Sequence, residues 1–72
     1  MRCEYEDGLK VDYSGSLHIK QGSDIDVYMK DGLIPANIKS ELNEATRNFS
    51  CEEMRKVAKT VTDTVGNRAC IH

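Results

Sequence analysis

Leu17-His18-Ile19-Lys20 alternates apolar and polar side chains, the period of a half-buried strand. Leu17 and Ile19 fall on one face, His18 and Lys20 on the other. Past a short Gly-bearing turn on each side the alternation resumes. Upstream lies Leu9-Lys10-Val11-Asp12-Tyr13, followed by Ser14-Gly15-Ser16. Downstream, Gln21-Gly22-Ser23-Asp24 leads into Ile25-Asp26-Val27-Tyr28-Met29. These runs predict an antiparallel meander centred on the Leu17–Lys20 strand.

Side-chain pairing predicts the register. With Glu6-Asp7-Gly8 as a three-residue loop, Tyr5 faces Leu9, Cys3 faces Val11 and Met1 faces Tyr13. Glu4 then meets Lys10, and Arg2 meets Asp12, on the opposite face. A two-residue Asp7-Gly8 turn would set Tyr5 against Lys10 and mix the faces, which a half-buried sheet penalises. Loop Ser14-Gly15-Ser16 continues the pattern, with Val11 beside Ile19, Asp12 beside His18 and Lys10 opposite Lys20. Taking Gln21-Gly22-Ser23 as the third loop sets Ile19 against Ile25, His18 against Asp26 and Lys20 against Asp24. The polar face then carries a row Arg2–Asp12–His18–Asp26, with Tyr28 nearby.

The second half reads as helical. Ile34, Ile38, Leu42, Ala45 and Phe49 recur at helical spacing from Pro35, which suits a first turn, with Asn37 as a competing cap. Glu44 and Arg47 are spaced to pair outside. Ser50-Cys51-Glu52-Glu53 is a capping box, with Phe49 and Met54 as its hydrophobic staple. Met54, Val57, Ala58, Val61 and Val65 form the buried stripe, and Glu52 precedes Lys56 by four on the wet side. The β-branched run Thr60–Val65 leaves the helix end open to fraying, and Gly66-Asn67 is the stop. Residues 68–72 are either a short edge strand or a tail. The expected fold is one α+β domain in two layers over residues 1–72. Residues 1–30 form a four-stranded antiparallel β-meander, residues 34–66 two helices packed on one of its faces, and residues 67–72 the tail or edge strand.

Composition bounds the function. At 72 residues there is room for one domain, and such a chain buries only about 60% of its unfolded surface. A net charge of −2 with 31% charged residues is ordinary for a globular protein and not that of a polybasic nucleic-acid binder. Residues 1–34 carry four basic groups against seven acids, and residues 35–72 six against five, so the sheet half is the acidic half. No apolar run approaches the roughly 18 residues of a membrane span, and Met1-Arg2-Cys3-Glu4 does not open a signal peptide. The expectation is therefore a cytoplasmic chain with reduced thiols, and three cysteines, an odd count, argue against a disulfide framework. The sequon Asn48-Phe49-Ser50 carries no weight in that setting.

Each candidate site has a plainer reading beside it. His18 between Asp12 and Asp26 resembles an oriented imidazole, but no nucleophile adjoins it, so it reads as part of a solvated cross-strand ladder. Cys3, Cys70, His72 and His18 lack paired-ligand spacing, so no metal is expected and the thiols read as packing residues. Cys51 opens a helix, where a thiolate is favoured, yet it also sits where a boundary core residue belongs. The glycines are spaced as turns and no phosphate-cradling motif is present, so no cofactor is expected. Arg47, Arg55, Lys56 and Lys59 line a helix flank that Glu52 and Glu53 dilute. Tyr5, Tyr13 and Phe49 read as core, and Tyr28 as a polar-face aromatic near an edge.

These residues point to a small non-catalytic protein–protein interaction module, an inhibitor or adaptor, by analogy with phage-encoded inhibitors of host factors or defences. Asp12, His18, Asp24, Asp26 and Tyr28 are its expected partner-binding residues, set on an acidic face toward a basic protein surface. The alternatives are a nucleic-acid-binding regulator using the second helix's basic flank, and an enzyme or metal protein built on His18 or the cysteines. A homodimer through the edge Ile25–Met29 or the tail Arg68–His72 fits any of these. The cap is directly testable: Ser50→Ala is expected to cost about 1 kcal/mol, within the ~0.5–2 kcal/mol of such caps. An unchanged urea midpoint would place the helix start elsewhere.

Overall fold

A computed structural model describes residues 1–71. Five strands form one sheet in chain order: β1 (Arg2–Glu4), β2 (Leu9–Tyr13), β3 (Ser16–Gln21), β4 (Ile25–Lys30) and β5 (Cys70–Ile71). A single 3-10 turn, Asp31–Leu33, leads from β4 to helix α1 (Ala36–Arg47), and α2 (Cys51–Val65) follows. The first four strands are antiparallel, and β5 returns parallel to β4 after the two-helix crossover. The α+β architecture and the meander are as expected from the alternation. Residues 67–71 resolve the open choice in favour of an edge strand, and His72 lies outside the described residues.

The first two loops hold the expected register. Gly8, at φ +89°, supplies the left-handed position of the Glu6–Gly8 loop. The Tyr5 N–H donates to the Leu9 carbonyl at 2.9 Å across that loop. Cys3 then pairs with Val11, and Val11 with Ile19. The third loop differs. Gly22-Ser23-Asp24 makes the turn, closed by the Asp24 N–H on the Gln21 carbonyl at 3.1 Å. Gln21 therefore pairs with Ile25, Lys20 with Asp26, Ile19 with Val27 and His18 with Tyr28. The strand is displaced by two residues from the expected pairing. A two-residue shift keeps every side chain on its face, so the apolar pattern does not distinguish the registers and the turn decides between them.

Alternation carries through to the core. Leu9, Val11, Leu17, Ile19, Val27 and Met29 are buried on one sheet face, against Ile34, Ile38, Leu42 and Ala45 from α1 and its approach and Met54, Val57, Ala58 and Val61 from α2. Val65 packs half-buried at the end of the α2 stripe. The β-branched end of α2 stays helical to Val65. There the Thr60, Thr62 and Thr64 hydroxyls donate back to carbonyls of the preceding turn. The Thr62 carbonyl accepts from the Gly66 N–H beyond.

Three expectations are corrected by packing. Phe49 is not core and makes no staple, because it is 83% exposed. The reason is local. The Ser50 N–H donates to the Ala45 carbonyl (2.9 Å) and the Phe49 N–H to the Thr46 carbonyl (3.2 Å), the two bonds of a Schellman motif. Phe49 occupies its left-handed position at φ +50°, where glycine is usual, and an L-residue there costs roughly 1–2 kcal/mol. Ser50 still caps α2, its Oγ accepting from the Glu53 N–H at 3.2 Å. The second correction is β4, expected at an edge but flanked by β3 and β5, so the open edges belong to β1 and β5. Dimerisation through an Ile25–Met29 edge is therefore removed by β5.

The third correction is chemical. Cys3 and Cys51 form a disulfide, with Cα atoms 5.6 Å apart. The odd cysteine count concealed it, because Cys70 lies in β5 on the exposed side while the other two meet across the fold. The bridge joins edge strand β1 to the first residue of α2 and closes 48 residues of chain. By the chain-entropy argument a loop of that length contributes about 4 kcal/mol. Against a total of roughly 4–11 kcal/mol for a domain of this size, that is a large share. Cys51→Ser, or reduction of the native protein, is expected to lower the unfolding free energy by about 2–4 kcal/mol in urea. Equal midpoints with and without reductant would show that the bridge is not made in solution.

Candidate functional site

Every helix lies on one side of the sheet, which leaves the other side uncovered. Two cross-strand rows run over it. One is Arg2–Asp12–His18–Tyr28–Cys70, and the other is Glu4–Lys10–Lys20–Asp26. Strand alternation puts these side chains outward while their neighbours enter the core. His18 thus meets Asp12 directly, as expected. Asp26 sits one step diagonally, and its Oδ1 lies 3.0 Å from His18 Nε2. The rings of His18 and Tyr28 meet edge to face, with centroids 6.2 Å apart and planes at 76°. Asp24 stands apart from this cluster, exposed in the β3–β4 turn. The structure therefore joins Asp12, His18, Asp26 and Tyr28 and leaves Asp24 at the rim.

A cleft of about 300 Å³ opens beside the cluster, lined by Asp26, Tyr28, Arg68, Ala69 and Cys70. Its far wall is the segment entering β5. The Asp26 N–H donates to the Asn67 carbonyl at 2.7 Å, and the Tyr28 N–H to the Ala69 carbonyl at 2.9 Å. The Arg68 guanidinium donates to the Ser23 carbonyl, which brings its charge toward Asp26. Arg68 is the residue that the sequence reading missed here. Only the return of β5 beside β4 places it at this site.

The face is not the acidic surface expected. Arg2, Lys10, Lys20 and Lys30 share it with Glu4, Asp12 and Asp26, while Glu6, Asp7, Asp24 and Asp31 lie in the turns. Two of those turn acids serve the fold. Asp7 pairs with Arg55 of α2, whose guanidinium also lies 5.0 Å from the centre of the Tyr5 ring. Asp31 accepts from the Tyr13 hydroxyl (3.0 Å) and from Lys39 Nζ (3.1 Å), tying β2 to α1. The close Lys10–Lys20 pair is relieved by Glu4, 3.9 Å from Lys10, and by Asp26 rather than Asp24.

These contacts set the carboxylates. The hydrogen bond from His18, with Lys20 and Arg68 nearby, holds the Asp26 carboxyl below its ordinary value. The hydrogen bond from Arg55 lowers Asp7, and those from Lys39 and Tyr13 lower Asp31. Burial and the Asp31 carboxylate raise the Tyr13 phenol, and burial raises that of Tyr5.

The basic flank of α2 is partly engaged by its neighbours. Arg55 is held by Asp7 and Tyr5, and Lys56 lies 3.7 Å from Glu53, not from the expected Glu52. Beside this flank runs a groove of about 390 Å³, floored by Leu9, Ile19, Ile25 and Ala58 and rimmed by Lys56 and Lys59. Among the described residues no group of three or more His, Cys, Asp or Glu is placed to hold a metal. Cys3, weighed as a ligand, is in the disulfide, and His72 lies outside the described residues. No described helix is long and apolar enough to cross a membrane. No family model matches the chain, and neither curated proteins nor solved structures show a match.

The His18 contact predicts a sign. A lowered folded pKa means that Asp26 contributes stability above its unfolded pKa, lost as pH falls through the folded value. A carbon-13 titration of the Asp26 carboxyl is expected to give a midpoint below 3.8, and His18→Ala to move it up toward 3.8. A midpoint at or above 3.8 in the wild type would mean that His18 does not hold Asp26 in solution.

Proposed function

We propose that this protein is a small interaction module, an inhibitor or adaptor, that binds another protein through the uncovered sheet face. The observation that carries the reading is the cluster of Tyr28, His18 and Asp26 beside an open cleft, on the one layer that no helix covers. A tyrosine fixed edge-on against an imidazole supplies contact area at little entropic cost. The charges around it are mixed in sign, which favours register and specificity over bulk steering. The partner best matched offers a basic group to Asp26 and Asp24 and an acidic one to Lys20 or Arg68. The disulfide supports an oxidising place of work rather than the cytoplasm.

The nucleic-acid reading stays with the α2 flank, but the Arg55 contacts to Asp7 and Tyr5 reduce the charge available there. One experiment separates the two. The wild-type protein is used as bait in an extract of its native host, and the captured partner is identified by mass spectrometry. Affinity is then measured for two variants. Asp26→Lys with Tyr28→Ala is expected to lose about 2 kcal/mol, roughly 30-fold, while Arg55→Glu with Lys59→Glu stays near wild type. The reverse pattern would move the working surface to α2.

A further inference from the structure

The groove between α2 and one end of the sheet is used neither by the core nor by the sheet-face reading. Its sheet wall is Leu9 at the start of β2, Ile19 and Gln21 at the end of β3, and Ile25 at the start of β4. Its helix wall centres on Ala58. Ala58 is the smallest side chain of the buried α2 stripe, set among Met54, Val57 and Val61. A larger residue there would fill the space between the layers. Instead about 390 Å³ stays open, and Ile25 is only half-buried at its edge.

Most polar groups along the groove are already engaged. Gln21 Nε2 donates to the Asp7 carbonyl at 2.9 Å, and the Thr62 hydroxyl to the Lys59 carbonyl at 3.0 Å. Asp7 and Arg55 neutralise each other, and Lys56 lies 3.7 Å from Glu53. Two charges remain. Among the described residues no acid pairs with the Lys59 ammonium and no base with Glu52. They stand about 10 Å apart along α2, so the free cation marks one end of the groove and the free acid the other. The groove thus offers an aliphatic floor with a cation at the Lys59 end. A polar ligand would bury its groups against aliphatic walls, and a cationic one would meet Lys59.

We propose that this groove binds a monomeric aliphatic carboxylate of medium chain length. The chain lies over Leu9, Ile19, Ile25 and Ala58, and the carboxylate sits at Lys59, away from Glu52. Burial of the chain supplies the affinity, and the two end charges fix its direction. The volume is at the lower end for small-ligand sites, which suits one chain rather than the two of a membrane lipid. The site lies on the helical side, so it is independent of the sheet-face reading and leaves that face open.

An NMR titration of the intact, oxidised protein with decanoate tests this. The methyl groups of Leu9, Ile19, Ile25 and Ala58 are expected to shift saturably, with a dissociation constant of about 0.1–1 mM. Decylammonium, the same chain with the opposite charge, is expected to bind at least about tenfold more weakly. Lys59→Glu, an exposed change that spares the core, should reverse that order of preference. Ala58→Leu fills the groove, so it should keep the thermal midpoint at or above that of the wild type while weakening decanoate at least about tenfold. Asp26→Lys with Tyr28→Ala should bind decanoate as wild type does. Three results would each overturn the proposal: no saturable shift up to about 10 mM decanoate, decylammonium bound as tightly as decanoate by the wild type, or a folded Ala58→Leu protein with undiminished binding.

Discussion

Strand β1 is three residues long and paired on one side only, yet Cys3 within it is among the most buried residues of the core. A strand that short has few ladder bonds to hold it. What secures it is the covalent bridge to Cys51, where α2 begins. Weaker ties gather at the same corner. The Tyr5 hydroxyl donates to the Cys51 carbonyl, and Arg55 reaches Asp7 across the Tyr5 ring. The first and last thirds of the chain are stitched together there. For a domain whose stability is a few kilocalories, this corner governs how α2 lies on the sheet and which of its flanks faces outward.

The remaining architecture follows from one-sided burial. A sheet with one apolar face needs one covering layer, and α1 and α2 provide it with Ile38, Leu42, Ala45, Met54, Val57 and Val61. The cover is fixed at its margins by polar contacts. Asp31 is the clearest, receiving Tyr13 from the sheet and Lys39 from α1. Acids counted toward a recognition surface are partly consumed in this way, Asp31 by Tyr13 and Lys39 and Asp7 by Arg55. The surface that remains for a partner is the mixed-charge ladder around His18, Asp26 and Tyr28.

Local preference and global fold agree along most of this chain, and the disagreements are informative. Lys10 opposite Lys20 is offset by flanking carboxylates. Phe49 has no comparable offset. Its peptide groups serve the turn between the helices while its side chain is left in solvent. Natural sequences depart from local consistency chiefly where something other than folding selects the residue.

The strand faces, the first two registers, the capped start of α2 and the stop at Gly66 are legible in the sequence, because each depends on neighbours a few residues apart. Alternation at Leu9–Tyr13 and Leu17–Lys20 fixes faces, and Ser50 reaches its own helix at Glu53. The β3–β4 register lies two residues from the one expected with Ile19 against Ile25, since such a slip keeps the faces unchanged and only the Gln21–Asp24 turn bond separates the choices. Phe49 fits helical spacing from Ile34, and no local signal announces that the chain reverses there in a left-handed turn. The Cys3–Cys51 bridge, Asp7 beside Arg55 and Arg68 beside Asp26 join residues more than forty positions apart. Only the two-helix crossover, which returns the chain to both edges of the sheet, brings those groups within reach of one another.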